Sequence, residues 1–225
     1  MTVLHLADET EAADLAAFLS RLLHYDRGAA VRLQAAGTAL AVFGRPPSFE
    51  VLAVRAVRLA KPYENGLDVT LDVTVSAGEF LESVDERAAT AAVPAAVTGP
   101  PWAGVLPPRG GWQAEPGLPA PDTLRATVAA AVTEFRSRTQ ELAPDGRTRA
   151  ELDRIGRDIW SREIGRTGLP VRAVHAAQSL GFLRPGADPA DTGLFSSGPW
   201  LRLRTPYGSV AVRRAGLGPL GVSVR

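Results

Sequence analysis

The 225 residues contain no cysteine, one methionine, three histidines and a single lysine, Lys61, among 25 basic side chains. The missing cysteine excludes disulfides, thiolate catalysis and zinc sites built on Cys. The histidines, His5, His24 and His175, are scattered, and no two stand at the helical spacing of a metal clamp, so neither a metal nor a cofactor is expected. Long apolar runs are also lacking. No stretch approaches the roughly 20 residues that span a bilayer, and the opening MTVLHLADETEAADL carries acids where a secretory leader would carry basic residues. A cytoplasmic protein with no membrane contact is expected. No G-x-S-x-G, phosphate-binding loop or dinucleotide fingerprint occurs, and the glycines of 104-GVLPPRGGW-112 lack the helix and Lys-Ser/Thr that a phosphate loop requires. Catalysis is therefore not the first expectation.

What is present is apolar content of 45 % and a net charge of +1 that is unevenly divided. Residues 1–144 carry 12 basic and 17 acidic groups, whereas residues 145–225 carry 13 and 7, so the halves stand at −5 and +6. Such asymmetry points to an interaction surface at the basic end. With abundant Ala, Gly, Pro and Val and almost no lysine, the composition resembles that of proteins from high-GC actinobacteria.

Along the chain, 8-DETEAADLAAFLSRLLHYD-26 predicts a helix. Asp8 caps it, Glu11 completes a capping box, and Leu15, Phe18, Leu19, Leu22 and Leu23 line one face. The segment 30-AVRLQAAGTALAVFG-44 alternates about Gly37 as a hairpin does, and 49–60 reads as a further strand. In 67-LDVTLDVTVSAGEFLESV-84 a strand with Asp68, Thr70, Asp72 and Thr74 on one face becomes a helix at Ser76, with Glu79 at capping-box distance. The two aspartates read as a wet strand face or a weak cation site. Helix, antiparallel strands and helix describe an α+β layer pair, similar in order to one repeat of a DNA sliding clamp.

Residues 94–121 hold eight prolines and five glycines, which interrupts any regular element. They also hold Trp102, Val105, Leu106 and Trp112, large apolar groups that a solvated tether does not carry. An ordered loop is expected, with Trp102, Trp112 and Arg109 forming an interface between two halves or, in a homodimer, two subunits. The implied division is an acidic α+β domain (1–93), this loop (94–121) and a basic helical domain (122–225).

In the third part, helices are expected at 122–142, capped by Asp122, at 149–165 and, after Pro170, at 170–183. The alternating strands 200–205 and 209–214 follow, around a turn at Pro206, Tyr207 and Gly208. The stretch 160-WSREIGRTGLPVRAVHAAQSLGFL-183, with Gly168 in its turn and LGFL at its exit, resembles the centre of a winged helix-turn-helix domain. That resemblance covers residues 122–214, and Glu163 and Thr167 stand where the family usually has apolar residues. It implies a third helix presenting Arg172, His175 and Ser179 to a DNA groove or a protein partner, with Arg202, Arg204, Arg213 and Arg214 of the hairpin on phosphates. A regulatory or scaffolding protein binding DNA or protein through this basic end is the first expectation. The alternative is an enzyme or ligand-binding protein with a pocket between the halves, under the Trp-bearing loop.

Overall fold

Asp8 starts the first helix in the way its spacing predicts. The computed structural model describes residues 2–60, 71–186 and 188–214. In it the Asp8 carboxylate accepts from the Glu11 N–H at 2.9 Å, and α1 runs Glu9–Tyr25 with Leu15, Phe18, Leu19 and Leu22 buried. The Glu11 side chain does not close a capping box. It is buried and reaches Arg55 and Arg58 on a neighbouring strand, at 3.0 and 2.8 Å, because two guanidiniums are stronger partners than one backbone N–H.

After the short β1 (Val3–His5), the hairpin forms as β2 (Ala30–Ala36) and β3 (Ala39–Gly44) around Gly37, whose φ of 59° is open to glycine at little cost. β4 (Leu52–Arg58) follows a 3-10 turn at Pro47–Phe49. β5 (Asp72–Ser76) then leads into α2 (Ala77–Glu82), with the Ser76 hydroxyl accepting from the Glu79 N–H. The expected start of that strand, with Asp68 and Thr70, lies outside the described residues. β6 (Val84–Asp85) and β7 (Thr90–Ala92) join β1 in a small antiparallel sheet of order β1-β7-β6.

β8 (Gln113–Glu115) precedes α3 (Pro121–Gln140), α4 (Arg149–Trp160) and α5 (Val171–Ser179). Asp122 does not cap α3. Pro121 occupies the first turn, Ala120 the cap, and Asp122 pairs with Arg125 at 3.4 Å. The chain closes with β9 (Gly193–Ser197), β10 (Trp200–Thr205) and β11 (Gly208–Arg213).

Among the described residues the larger sheet has eight antiparallel strands in the order β5-β2-β3-β4-β11-β10-β9-β8. One sheet therefore runs through both halves of the chain, joined where Ser209–Ala211 pairs with Leu52–Val54. Its inner face packs on the helices, α1 against β4 and α5 against β10 and β11, with α3 and α4 layered outside α5. The architecture is α+β, and among the described residues after α5 the regular elements are the strands β9, β10 and β11 and a 3-10 turn at Pro189–Asp191.

The winged-helix expectation differs from this arrangement in three respects. Residues 161–170 separate α4 from α5, a longer connection than the tight turn of that motif. α5 has no exposed residue along its length. The hairpin β10–β11 is interior to the sheet, with β4 on one side and β9 on the other. The physical reason is the free edge of β4: an unpaired row of N–H and C=O groups is satisfied by β11, whose Val210, Ala211 and Val212 are apolar toward both faces.

Candidate functional site

The proline- and glycine-rich segment is an ordered strap across the outer face of the large sheet. At one end Ala96 bridges Val75 and the Val97 N–H donates to the Thr74 carbonyl at 2.9 Å, on edge strand β5. At the other end Gln113–Glu115 is itself the opposite edge strand, β8. The strap thus spans the full width of the sheet. Arg32 latches it: this guanidinium grips Asp72 through two bonds, of 2.7 and 2.9 Å, and donates a third to the Ala103 carbonyl. The first of those bonds to Arg32 is the main reason the Asp72 carboxyl is held below its usual range. Asp72, half of the cation site considered from the sequence, is thereby committed to an arginine.

Beneath the strap, Trp102, Leu106 and Trp112 pack on a second apolar cluster made of Phe43, Leu52, Val54, Trp200 and Ala211. Those five residues come from β3, β4, β10 and β11, so the tryptophans rest on both halves of the chain. The Trp112 indole N–H donates to the Pro108 carbonyl at 2.9 Å, which closes the strap on itself.

The apolar cover is incomplete. Ala39, Ala41 and Ala56 occupy outer-face positions on β3 and β4 with too little bulk to meet the strap, and a cavity of about 250 Å³ remains between them and Pro107–Pro108. Gln34, Arg109 and Arg202 supply its polar groups. Arg202 is half-buried; its Nε donates to the Ser209 hydroxyl at 2.9 Å and its guanidinium stands 5.6 Å from the centre of the Trp112 ring. Among the described residues no carboxylate pairs with it. Burial, aided by the nearby Arg204, pulls this guanidinium below its ordinary value, the signature of a cation deprived of water without a counter-ion in return.

Arg202, Arg204 and Arg213 do share one face of the hairpin, the outer face. Arg204 lies 4.7 Å from the Phe195 ring centre and Arg213 lies 5.3 Å from that of Trp200, so each guanidinium stands against an aromatic ring. Arg214 is bonded to Glu115 at 2.6 Å. Arg109 is exposed on the strap.

The α5 set is placed elsewhere, in the helical layer on the inner side of the sheet. Arg172 faces Glu50 at 3.7 Å. His175 is clamped between Trp160, stacked at 4.7 Å, and Phe49, edge-on at 5.0 Å, and burial pushes its imidazole below the usual value. Ser179 is half-buried near the end of the helix. The structure therefore brings the hairpin arginines together with the strap, and does not bring the α5 residues to either. Arg162 is occupied by Glu134 at 2.6 and 2.8 Å.

Gln34, Ser209 and the alanine floor were not anticipated from the sequence. The available signal was the alternation of Ala39 and Ala41 along one face of β3, small residues at positions where a covered sheet normally carries bulk.

Among the described residues no helix is long and apolar enough to cross a membrane. No curated protein and no solved structure matches the chain. Residues 1–104 match the family model described as Domain of unknown function (DUF8010), and residues 107–217 match a second, Domain of unknown function (DUF8185), so that the two meet within the strap.

Proposed function

We propose that the protein binds a small organic acid with an apolar body in the cavity between the strap and the outer face of the sheet. The observation that carries this is Arg202, a half-buried guanidinium with no carboxylate partner among the described residues, lining an apolar cavity. Holding such a cation without a counter-ion costs stability, and a ligand carboxylate in a charge-assisted pair offsets that cost. Arg109 adds a second positive group at the mouth, Gln34 an amide, and Phe43 and Val54 the apolar surface for the rest of the ligand. Trp102 and Trp112 act as fixed points of the strap, which makes the site one that depends on both halves of the chain.

The test is thermal unfolding with benzoate and hexanoate against the neutral amides of the same acids. A ligand at a hundredfold over its Kd adds about 2.7 kcal/mol to stability. The acids should raise the melting temperature and the amides should not, and Arg202→Gln should remove the difference. Equal effects of acids and amides, or an undiminished effect in Arg202→Gln, would sink the reading.

A second reading, contact with a nucleic-acid backbone, is favoured by Arg204 and Arg213, which are exposed on the same face and pair with no carboxylate among the described residues. In this reading the sheet face binds, in place of a winged helix presenting Arg172, His175 and Ser179. Fluorescence anisotropy with single-stranded and duplex DNA from about 50 to 200 mM salt decides it, since a few phosphate contacts give a steep salt dependence. Absence of binding at the low end removes this second reading and leaves the first untouched.

A further inference from the structure

On the other side of the molecule a groove of about 590 Å³ opens between α4, α5 and the turn Pro47–Phe49. It is independent of the strap. Arg149, Asp153 and Arg157 follow one another at i, i+4 and i+8, so α4 presents them along one face, and Arg172 enters from α5. The two acids nearest these arginines hold them loosely. Asp153 stands 3.8 Å from Arg149 and Glu50 stands 3.7 Å from Arg172, both beyond hydrogen-bond reach. Arg157 has no carboxylate partner among the described residues, and Arg172 Nε, the atom that faces Glu50 at 3.7 Å, is buried with no hydrogen-bond partner among them. A buried orphan N–H on a charged group calls for a ligand or another explanation.

The rest of the groove is aromatic. Trp160 lines it, with its ring fixed by stacking on His175 at 4.7 Å and by Phe135 at 6.0 Å. Gly156 leaves these rings uncovered: a side chain at that position would begin 3.5 Å from Trp160 and 3.8 Å from Phe135. Three guanidiniums against two loosely held acids suit a group that brings close to two negative charges and several acceptor oxygens. A phosphate monoester does so at neutral pH, and a carboxylate does not.

We propose that this groove binds an aryl phosphate monoester, its ring against Trp160 and its phosphoryl group across Arg157 and Arg172. The experiment is isothermal titration calorimetry of the full chain with phenyl phosphate, inorganic phosphate and a short phosphotyrosine peptide. Phenyl phosphate should bind one per chain and more tightly than inorganic phosphate. Arg157→Gln, at an exposed position that leaves folding alone, should weaken it roughly tenfold, the size of one charge-assisted contact. Arg172→Gln should act in the same direction, and Arg154→Gln, on α4 but outside the groove, should change nothing. Binding of the peptide above that of phenyl phosphate supports a protein-borne group, and the reverse order supports a free ester. No binding of phenyl phosphate at millimolar concentration, inorganic phosphate binding equally well, or indifference to Arg157→Gln each overturns the proposal.

Discussion

Arg55 and Glu11 meet at 3.0 Å in buried space between β4 and α1, and the same guanidinium donates to the Tyr207 carbonyl at 2.7 Å in the β10–β11 turn. One arginine thus ties the first helix, the middle of the sheet and the last hairpin together. Asp14 extends the connection, 3.3 Å from Arg55 and 2.7 Å from Arg184, whose guanidinium also covers the Tyr207 ring at 3.8 Å.

Because the pair is buried, removing one partner leaves the other charge uncompensated. Glu11→Ala is expected to cost about 3 kcal/mol, at the low end for a broken buried pair, since Asp14 remains. Chemical denaturation gives the value directly. A loss below about 1 kcal/mol, the range of surface pairs, would show that Glu11 is dispensable.

Trp102 should matter more than its place in a proline-rich loop suggests. Trp102→Ala strips the indole from a cluster shared by both halves and is expected to cost about 2 kcal/mol, below the figure for a fully buried Trp because Trp102 is half-buried. Trp112→Ala also loses the bond to the Pro108 carbonyl and the ring beneath Arg202. Melting temperatures unchanged in both variants would make the strap a tether.

Arg202 should behave in the opposite sense. Its folded-state value lies below that of the unfolded chain, so at neutral pH its charge works against folding. Arg202→Met, which keeps the apolar stem and drops the charge, is expected to leave stability equal or higher while abolishing recognition of acids. A clearly lower melting temperature in this variant would mean that the guanidinium is structural.

His175 supplies a pH signature. Burial between Trp160 and Phe49 lowers its folded-state value, so the unfolded state binds the proton more readily. Its contribution is present above the ordinary imidazole value of about 6.5 and is lost as the pH falls below it. Stability measured across that window should decline with acidity in the native chain and not in His175→Phe. Identical slopes in the two proteins would place the titration elsewhere.

On the outside of the helical layer, Glu134 and Asp158 of α3 and α4 share Arg138 and Arg162 in a four-membered network with contacts of 2.5 to 3.3 Å. Hydrogen bonds from Arg162 to Glu134 and from Arg138 to Asp158 hold both carboxyls below their usual range. The stabilisation is complete above the ordinary carboxylate values and is lost as the pH falls through the lowered ones. The network is exposed, so salt screens it. Arg162→Ala should therefore remove part of the salt dependence of unfolding, which urea titrations at low and high salt will show.

The local elements were legible because local physics dictates them. Asp8 and Ser76 start helices, Gly37 turns a hairpin, and the period of two in 200–205 and again in 209–213 marks two strands. β8 and β9 are not legible in the sequence because they are short, three and five residues, and take their identity from the strands they pair with. The surroundings of the α5 residues are illegible in the sequence for a related reason. Arg172, His175 and Ser179 look like a polar face on a helical wheel, but whether such a face meets water, an aromatic clamp or a groove depends on what the remainder of the chain lays over it.

By itself the sequence determined the α+β class, the helix starts at Asp8 and Ser76, the turn at Gly37, and the sharing of one strand face by Arg202, Arg204 and Arg213, because each of these follows from spacing within a few residues. Only the tertiary structure decided that β11 completes the edge of β4 to make one eight-stranded sheet, that the loop crosses that sheet from edge to edge, and that a cavity stays open over Ala39 and Ala41. Those features depend on pairings between residues distant in the chain, such as Val210 with Ala53 and Gln113 with Ser196, which are selected by the burial of whole faces and leave no periodic trace in the chain.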